Sequence, residues 1–213
     1  MLKNLTFVAI SLLGMAATSA ATLPTPSFAS TSTLEKNLTE VIKTQETATK
    51  EVAPEKPKDK RLTCIGCNSN ELTVLNALQD EGVVDKVAVA TIMGNIKQES
   101  TFIPNICETS GIGLYHHCKS GGFGILQWTD SARYNGLGNF AKKYGGDPSS
   151  IDTQVKYMFY ESDWNMIKDY MKKPGGTIND YMRLAYRWIR WGHKGPRELY
   201  ANQYLNKITY SEI

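Results

Sequence analysis

Three features are scarce in this chain: long apolar runs, net charge, and patterns typical of β-strands. The one apolar run, near the N-terminus, is too short to span a bilayer comfortably, and no other stretch could cross a membrane. The 24 Lys and Arg residues exceed the 21 Asp and Glu residues by a net charge of only +3, and they are dispersed, which argues against nucleic-acid binding. The weak strand signals exclude a predominantly β fold. The 213 residues are enough for one sizeable domain with a tail.

The single apolar run predicts export. It covers residues 7–17 (FVAISLLGMAA), follows Lys3, and precedes the small residues of Thr18-Ser19-Ala20-Ala21. This arrangement is typical of a signal peptide (residues 1–20) that is cleaved after Ala20. We therefore expect an exported protein, periplasmic or extracellular, with no stable membrane span after cleavage. An uncleaved signal anchor is the alternative.

Residues 21–61 have the composition of a flexible tether. They are rich in Thr, Lys, Glu, Ser and Pro, and no aromatic residue follows Phe28 in this segment. Such a segment buries too little apolar surface to offset the entropy lost on ordering it. The folded domain is therefore predicted to span residues 62–213, and we expect it to act as a monomer without a cofactor.

The predicted domain is mainly α-helical. Helices are expected near residues 70–80, 86–100, 131–144, 151–161, 164–172, 178–191 and 196–208. The first has Ser69 or Asn70 as its N-cap, and the second and third have Asp85 and Asp130. The second is apolar on nearly all sides, which predicts a central position. At most one short β-hairpin is expected, within residues 107–127.

Four cysteines form two close pairs: Cys64 with Cys67, and Cys107 with Cys118. In an exported protein an even number of cysteines first indicates disulfides, and these two pairings are the expected ones, with cross-pairing as an alternative. A structural zinc site is the other alternative, made of all four cysteines or including His116 and His117. We expect disulfides and no metal.

Glu99 is the candidate catalytic residue. It lies in the last turn of the predicted central helix, within Gly94-Asn95-Ile96-Lys97-Gln98-Glu99-Ser100. The negative end of the helix and the apolar neighbours both favour a protonated carboxyl. A carboxyl that keeps its proton near neutral pH can donate it to a glycosidic oxygen. Taken alone, a surface glutamate at a frayed helix end is the simpler interpretation.

A glycine-rich segment twenty residues later supports the catalytic interpretation. It reads Gly121-Gly122-Phe123-Gly124-Ile125-Leu126-Gln127-Trp128-Thr129. Gly122 and Gly124 would let an extended ligand approach the backbone. Gln127 offers a donor and acceptors, and an exposed Trp128 would offer a flat face to a sugar ring. Trp191, where a later helix should end, is the candidate wall of the groove.

These two segments together carry a family resemblance. The pattern Gly94-Asn95-x-x-Gln98-Glu99-Ser100-x-Phe102-x-Pro104, followed by Gly122-Phe123-Gly124-x-x-Gln127-Trp128, resembles the phage tail lysozyme family. It is more distantly similar to goose-type lysozymes and soluble lytic transglycosylases. The resemblance extends over roughly residues 71–208, including Gln154-Val155-x-Tyr157-Met158-x-Tyr160-Glu161.

The resemblance implies a lysozyme-like α fold with a substrate groove between two lobes. It implies bacterial peptidoglycan as the substrate, and cleavage of the MurNAc-GlcNAc β-1,4 bond. It assigns the general acid to Glu99 and sugar contacts to Ser100 and the Gln127 segment.

A second carboxylate is not marked by any motif, although most glycosidases need one. The candidates are Glu108, Asp130, Glu161 and Asp163, of which Glu108 is the one expected to reach the groove. If none serves, Glu99 would act first as acid and then as base, and the enzyme would be a lytic transglycosylase that leaves anhydro ends.

Two other classes of protein stay open at this point. A wall cysteine endopeptidase would use Cys107 or Cys118 as nucleophile and a neighbouring histidine as base, which requires a free thiol. A non-catalytic wall-binding module would keep the groove without needing a buried acid. The protonated carboxyl predicted for Glu99 favours an enzyme over such a module.

Overall fold

A computed structural model describes residues 60–211 of the chain. The predicted signal peptide, and the predicted tether up to residue 59, lie outside the described residues. Among the described helices, none combines the length and the apolar character that crossing a membrane requires.

Helices make up most of the described part of the chain. Residues 60–211 contain seven: α1 (Ser69–Asp80), α2 (Lys86–Ser100), α3 (Ser131–Tyr144), α4 (Ile151–Tyr160), α5 (Ser162–Lys172), α6 (Ile178–Ile189) and α7 (Arg197–Lys207). A single 3-10 turn covers Tyr115–His117. The mainly α, lysozyme-like class predicted from the sequence is confirmed.

Side-chain caps mark the start of α1, α2 and α3. Asp85 and Asp130 accept hydrogen bonds from the first backbone N–H groups of α2 and α3, as predicted. The cap of α1 is Asn68, slightly earlier than predicted. Its side chain accepts the N–H of Glu71 at 2.9 Å, and the Glu71 carboxylate accepts the N–H of Asn68 at 2.6 Å. This reciprocal pair satisfies two donors at once, so it fixes the start of the helix.

Helix α2 lies at the centre of the fold. Ten of its fifteen residues are buried, as its apolar composition predicted. It packs closely against α7: a Cβ at Gly94 would lie 2.4 Å from the backbone nitrogen of Ala201. Only a glycine permits this approach, and the approach brings the start of α7 beside the end of α2.

Two small antiparallel sheets accompany the helices. Strands β2 (Ile106–Cys107) and β3 (Gly111–Ile112) form the short hairpin that the sequence predicted, although it begins one residue earlier. Strands β1 (Arg61–Cys64) and β4 (Ile208–Ser211) form a second pair that was not predicted. This second pair is not a hairpin, because its strands are far apart in the sequence. Such a pair joins the two ends of the domain, and no local turn signal announces it.

Both expected disulfides are present. Cys64 is bonded to Cys67 and Cys107 to Cys118, with a Cα–Cα distance of 5.6 Å in each. The cross-paired and zinc-bound alternatives are therefore wrong, since all four sulfur atoms are already bonded. Disulfides persist in oxidising compartments, which is consistent with an exported protein.

Candidate active site

An open cleft of about 400 Å³ lies at the C-terminal end of α2. Its walls come from the segment after β2, the glycine-rich segment, the start of α3, and the chain that joins α6 to α7. The side chains that line it and are used below are those of Glu99, Glu108, Gln127, Asp130, Arg133, Arg190, Trp191, His193 and Arg197. The cleft therefore gathers residues that are nearly one hundred positions apart in the sequence.

Glu99 lies in the last turn of α2 and lines the cleft. The helix ends at Thr101, which has a left-handed φ of 50°. The Glu99 side chain is only 14% exposed. Burial raises the pKa of its carboxyl, against the opposing positive charges of Arg197 and Arg133, and the negative charge of Glu108 adds to the rise. The carboxyl therefore holds its proton to a higher pH than an exposed glutamate does.

Arg197, in the first turn of α7, is the direct partner of Glu99. Its Nη2 donates to Oε1 of Glu99 at 2.5 Å, and its side chain is 4% exposed. The ring of Trp191 covers the guanidinium, with 4.7 Å between the guanidinium carbon and the ring centroid. Nε and Nη1 have no hydrogen-bond partner among the described residues. The pair is thus desolvated, which lowers the pKa of Arg197.

Two of the four candidate second carboxylates are neutralised by arginines. Glu161 accepts from Nε and Nη2 of Arg133 at 2.6 and 2.9 Å, and it also accepts the indole N–H of Trp188 at 3.3 Å. Asp163 accepts from Nη2 of Arg190 at 2.7 Å. Both carboxylates are buried. They hold the side chains of the two arginines in place at the cleft.

Of the two remaining candidates, Asp130 lines the cleft but is occupied as the cap of α3. Glu108 lines the cleft, is exposed, and forms no ion pair among the described residues. Its Oε2 accepts the backbone N–H of Gly122 at 2.9 Å, which fixes the carboxylate beside the glycine-rich segment. Of the four candidates, Glu108 is the one whose negative charge raises the pKa of Glu99, and its role beside Glu99 stays a prediction.

The side chain of Gln154, on α4, holds the glycine-rich segment in place. Its Oε1 accepts the N–H of Ile125 at 2.9 Å, and its Nε2 donates to the carbonyl of Pro104 at 2.5 Å. The bonds join the loop that follows Glu99 to the segment that carries Gln127. A Cβ at Gly124 would lie 2.5 Å from Oε1 of Gln154, so this glycine makes room for the connection.

Gln127 lines the cleft in a left-handed conformation with a φ of 47°. Its Nε2 donates to the carbonyl of Gly124 at 2.9 Å. A Cβ at Gly122 would lie 2.8 Å from the Cβ of Gln127, so the glycine allows the side chain to fold back over the segment. The amide is thus held in one orientation at the edge of the cleft.

Three predicted substrate contacts are wrong as they were stated. Trp128 is 0% exposed and packs on Tyr157 with ring centroids 5.3 Å apart, so it offers no face to a sugar. Gly122 and Gly124 are also buried. These two glycines accommodate Gln127 and Gln154, and they do not admit a ligand to the backbone.

Ser100 is likewise buried and is not a substrate contact. Its hydroxyl donates to the carbonyl of Ile125 at 3.0 Å and accepts the N–H of Phe102 at 3.1 Å. It therefore links the end of α2 to the glycine-rich segment. Trp191, by contrast, is half-buried and lines the cleft. Its contact with substrate stays a prediction.

Arg197, Arg133 and Gln154 are the residues of the site to which the sequence analysis assigned no role. Gln154 lay within the segment that carried the family resemblance. No sequence motif marks Arg133 in α3 or Arg197 in α7. Only the tight approach of α2 and α7 at Gly94 indicates that a residue early in α7 must face Glu99.

A profile of the phage tail lysozyme family matches residues 69–208. The chain therefore belongs to the phage tail lysozyme family.

One relative is Morphogenesis protein 1 of Bacillus phage B103. It is 33% identical to this chain over 96 residues, which are 45% of this chain and 24% of the relative. The chain thus spans about a quarter of the length of that relative.

Proposed function

We propose that this protein cuts the glycan strands of bacterial peptidoglycan at the MurNAc-GlcNAc β-1,4 bond, with Glu99 as the general acid. The observation that carries the proposal is the environment of Glu99. Its carboxyl is mostly buried, has a raised pKa, and faces an open cleft in a chain of the phage tail lysozyme family. We propose further that the signal peptide exports the enzyme, and that it acts as a monomer.

In this mechanism Glu99 protonates the oxygen that bridges the two amino sugars. The carbon–oxygen bond breaks, and positive charge develops on the sugar ring that remains. The proton leaves a negative carboxylate on Glu99, which the Nη2 donor of Arg197 stabilises. Arg197 therefore opposes protonation of the resting acid but stabilises the state that follows proton transfer.

We assign the second carboxylate to Glu108, which would stabilise the positive sugar or activate a water molecule. Its exposure and its lack of an ion pair among the described residues support this role. The competing reaction is lytic transglycosylation, in which Glu99 takes back a proton and the sugar closes on its own hydroxyl. Glu108 would then be dispensable.

The test is mass spectrometry of fragments from purified peptidoglycan digested with the full chain, beside Glu99→Gln and Glu108→Gln. Glycan fragments that depend on Glu99 would support the proposal. Reducing ends that also depend on Glu108 would indicate a hydrolase, and anhydro ends would indicate a transglycosylase.

Other products of the same digest would contradict the proposal. Fragments from peptide cleavage alone would indicate an endopeptidase, although Cys107 and Cys118 are bonded to each other and provide no thiolate. Binding to the wall without any fragments would indicate the non-catalytic module.

A further inference from the structure

A second hollow, of about 250 Å³, lies between α3 and α4. We call it the aromatic pocket and define it by the rings of Phe140, Tyr144 and Tyr160. The ring centroids are 4.8 Å apart for Phe140 and Tyr144, 5.1 Å for Phe140 and Tyr160, and 5.6 Å for Tyr144 and Tyr160. The three rings thus form one contiguous aromatic surface.

The aromatic pocket is accessible to a ligand. Phe140 is buried and forms its floor, whereas Tyr144 and Tyr160 are 54% and 52% exposed. Two large tyrosines that are each half exposed and in contact leave apolar ring surface in water. Both tyrosine rings are therefore open to a ligand from solvent.

The rim of the aromatic pocket is polar. Asn139, Lys143 and Ser162 line it and are exposed. The Lys143 Nζ lies 4.8 Å from the centroid of the Tyr144 ring, a weak contact at an exposed position that the flexible lysine can leave. Aromatic faces beside amide, hydroxyl and ammonium groups suit a sugar, because a pyranose has an apolar face and a rim of hydroxyl groups.

The aromatic pocket and the cleft share a wall. Glu161 lines the pocket, Arg133 lines the cleft, and the two are joined by the hydrogen bonds at 2.6 and 2.9 Å described above. Both hollows also use α3. From Arg133 to Phe140 the helix rises by roughly 10 Å, a distance that a short oligosaccharide can span.

We propose that the aromatic pocket binds a second stretch of the same glycan strand that is cut in the cleft. The proposal rests on the proposed function, because it takes a polysaccharide as the occupant of the cleft. Arg133 and Phe140 are seven residues apart on α3, close to two full turns, so the side chains that line the cleft and the pocket lie on the same face of that helix. The pocket would hold the enzyme on its polymeric substrate while the scissile bond lies beside Glu99.

The test compares binding and cleavage of long and short substrates. The variant Tyr144→Ala/Tyr160→Ala is made in the active chain and in the Glu99→Gln chain. Binding to insoluble peptidoglycan is measured by co-sedimentation in the Glu99→Gln background. Cleavage is measured on the same wall and on a soluble GlcNAc-MurNAc tetrasaccharide. Tyr170→Ala is the matched control, since Tyr170 is 68% exposed on α5, outside the pocket.

We expect the double variant to weaken binding to the wall by roughly two- to tenfold for each ring lost. The loss of kcat/KM should be larger on the wall than on the tetrasaccharide, and Tyr170→Ala should behave as wild type. Tyr144→Phe/Tyr160→Phe keeps both rings and should retain most of the binding. Equal losses on both substrates, or unchanged binding to the wall, would overturn the proposal.

The same data separate this proposal from the proposed function. If the wild-type chain releases no glycan fragments, the proposed function fails, while the sedimentation assay still reports on the pocket. If fragments depend on Glu99 but binding ignores both tyrosines, only the pocket proposal fails. Melting temperatures of all variants identify any that lose the fold, and the phenylalanine pair then decides whether the rings matter.

Discussion

Replacing Arg197 by Met tests the chemistry of the site most directly. Methionine keeps a long side chain under Trp191 and removes the positive charge beside Glu99. The pKa of Glu99 is raised by burial and held down by Arg197 and then Arg133. Without Arg197 that pKa must rise further. The other charged or titratable groups that line the cleft stay in place: Glu108, Asp130, Arg190 and His193.

The size of the effect follows from the geometry of the pair. Two unit charges about 4 Å apart attract by about 4 kcal/mol at an effective dielectric constant of about 20. Removing one partner of a buried pair costs about 3–5 kcal/mol, and we expect the lower end because Glu99 can take up a proton. The melting temperature should fall by roughly 6–12 °C. The rate should fall roughly tenfold to a hundredfold, since the direct donor to the carboxylate is lost and only the more distant charge of Arg133 remains.

The direction in which the pH profile of kcat/KM moves shows whether Arg197 acts on the pKa of Glu99 or only supports the fold. A general acid must be protonated, so kcat/KM falls as the pH rises past the pKa of Glu99 in the free enzyme. In Arg197→Met this fall should occur at a higher pH than in the wild type. A buried carboxyl with a raised pKa stabilises the fold at low pH and loses that contribution as the pH rises through the raised pKa. The variant should therefore also lose stability more steeply as the pH rises.

The assay is the pH dependence of kcat/KM on soluble peptidoglycan fragments, with urea unfolding at the same pH values. Arg197→Lys keeps the charge, so kcat/KM should fall at nearly the same high pH as in the wild type. Lys172→Met removes an ion pair of 3.0 Å with Glu81 outside the cleft, and it should leave that pH unchanged. If kcat/KM of Arg197→Met also falls at the wild-type pH, the reasoning is refuted.

Three further predictions concern the parts that hold the cleft together. Gln127→Ala should lower kcat roughly tenfold through lost positioning, and unchanged rate and binding would contradict this. Gly94→Ala should destabilise the fold by about 3 kcal/mol or more in urea unfolding, because its Cβ meets the backbone of Ala201 at 2.4 Å. Replacing Cys107 and Cys118 by serine should cost about 2–4 kcal/mol, and an unchanged melting temperature would show that the hairpin needs no crosslink.

The helices could be predicted because their signals are local. Asp85 and Asp130 each precede an apolar-periodic segment, and both caps are confirmed. The end of α6 was predicted two residues too far, at Trp191. The helix ends at Ile189, and Arg190 adopts a left-handed φ of 61°. A non-glycine residue in that region gives no signal in the sequence, since its conformation is imposed by the packing around it.

The position of Glu99 in the cleft could be predicted, whereas its partner could not. A glutamate at the end of an apolar helix is recognisable from the sequence alone. Arg197 is 98 residues away and reaches Glu99 only because α2 and α7 approach at Gly94. Trp128 was misread for a related reason. A tryptophan that follows glycines can be exposed and bind a sugar, or it can be buried in the core. Only the packing of α4 against the segment decides between the two.

Glu99→Gln is the last substitution, and it tests the role of Glu99 both in cleavage and in the stability of the fold. The substitution keeps the shape of the side chain and removes its proton, so cleavage of peptidoglycan should fall roughly 100- to 10,000-fold. Stability should change as well. The amide oxygen can still accept from Nη2 of Arg197, but the guanidinium loses its counter-charge while it stays buried. We expect a loss of about 1–3 kcal/mol in urea unfolding at neutral pH.

A double-mutant cycle then shows whether the loss belongs to the pair. Glu99→Gln/Arg197→Met removes both charges of this pair, so the double variant should be more stable than the sum of the single losses implies, by about 1–3 kcal/mol. Glu108→Gln is the control, since Glu108 is exposed, and its stability should stay within about 0.5 kcal/mol of wild type. Strict additivity in the cycle would mean that the pair is solvated. Burial would then not explain the raised pKa of Glu99.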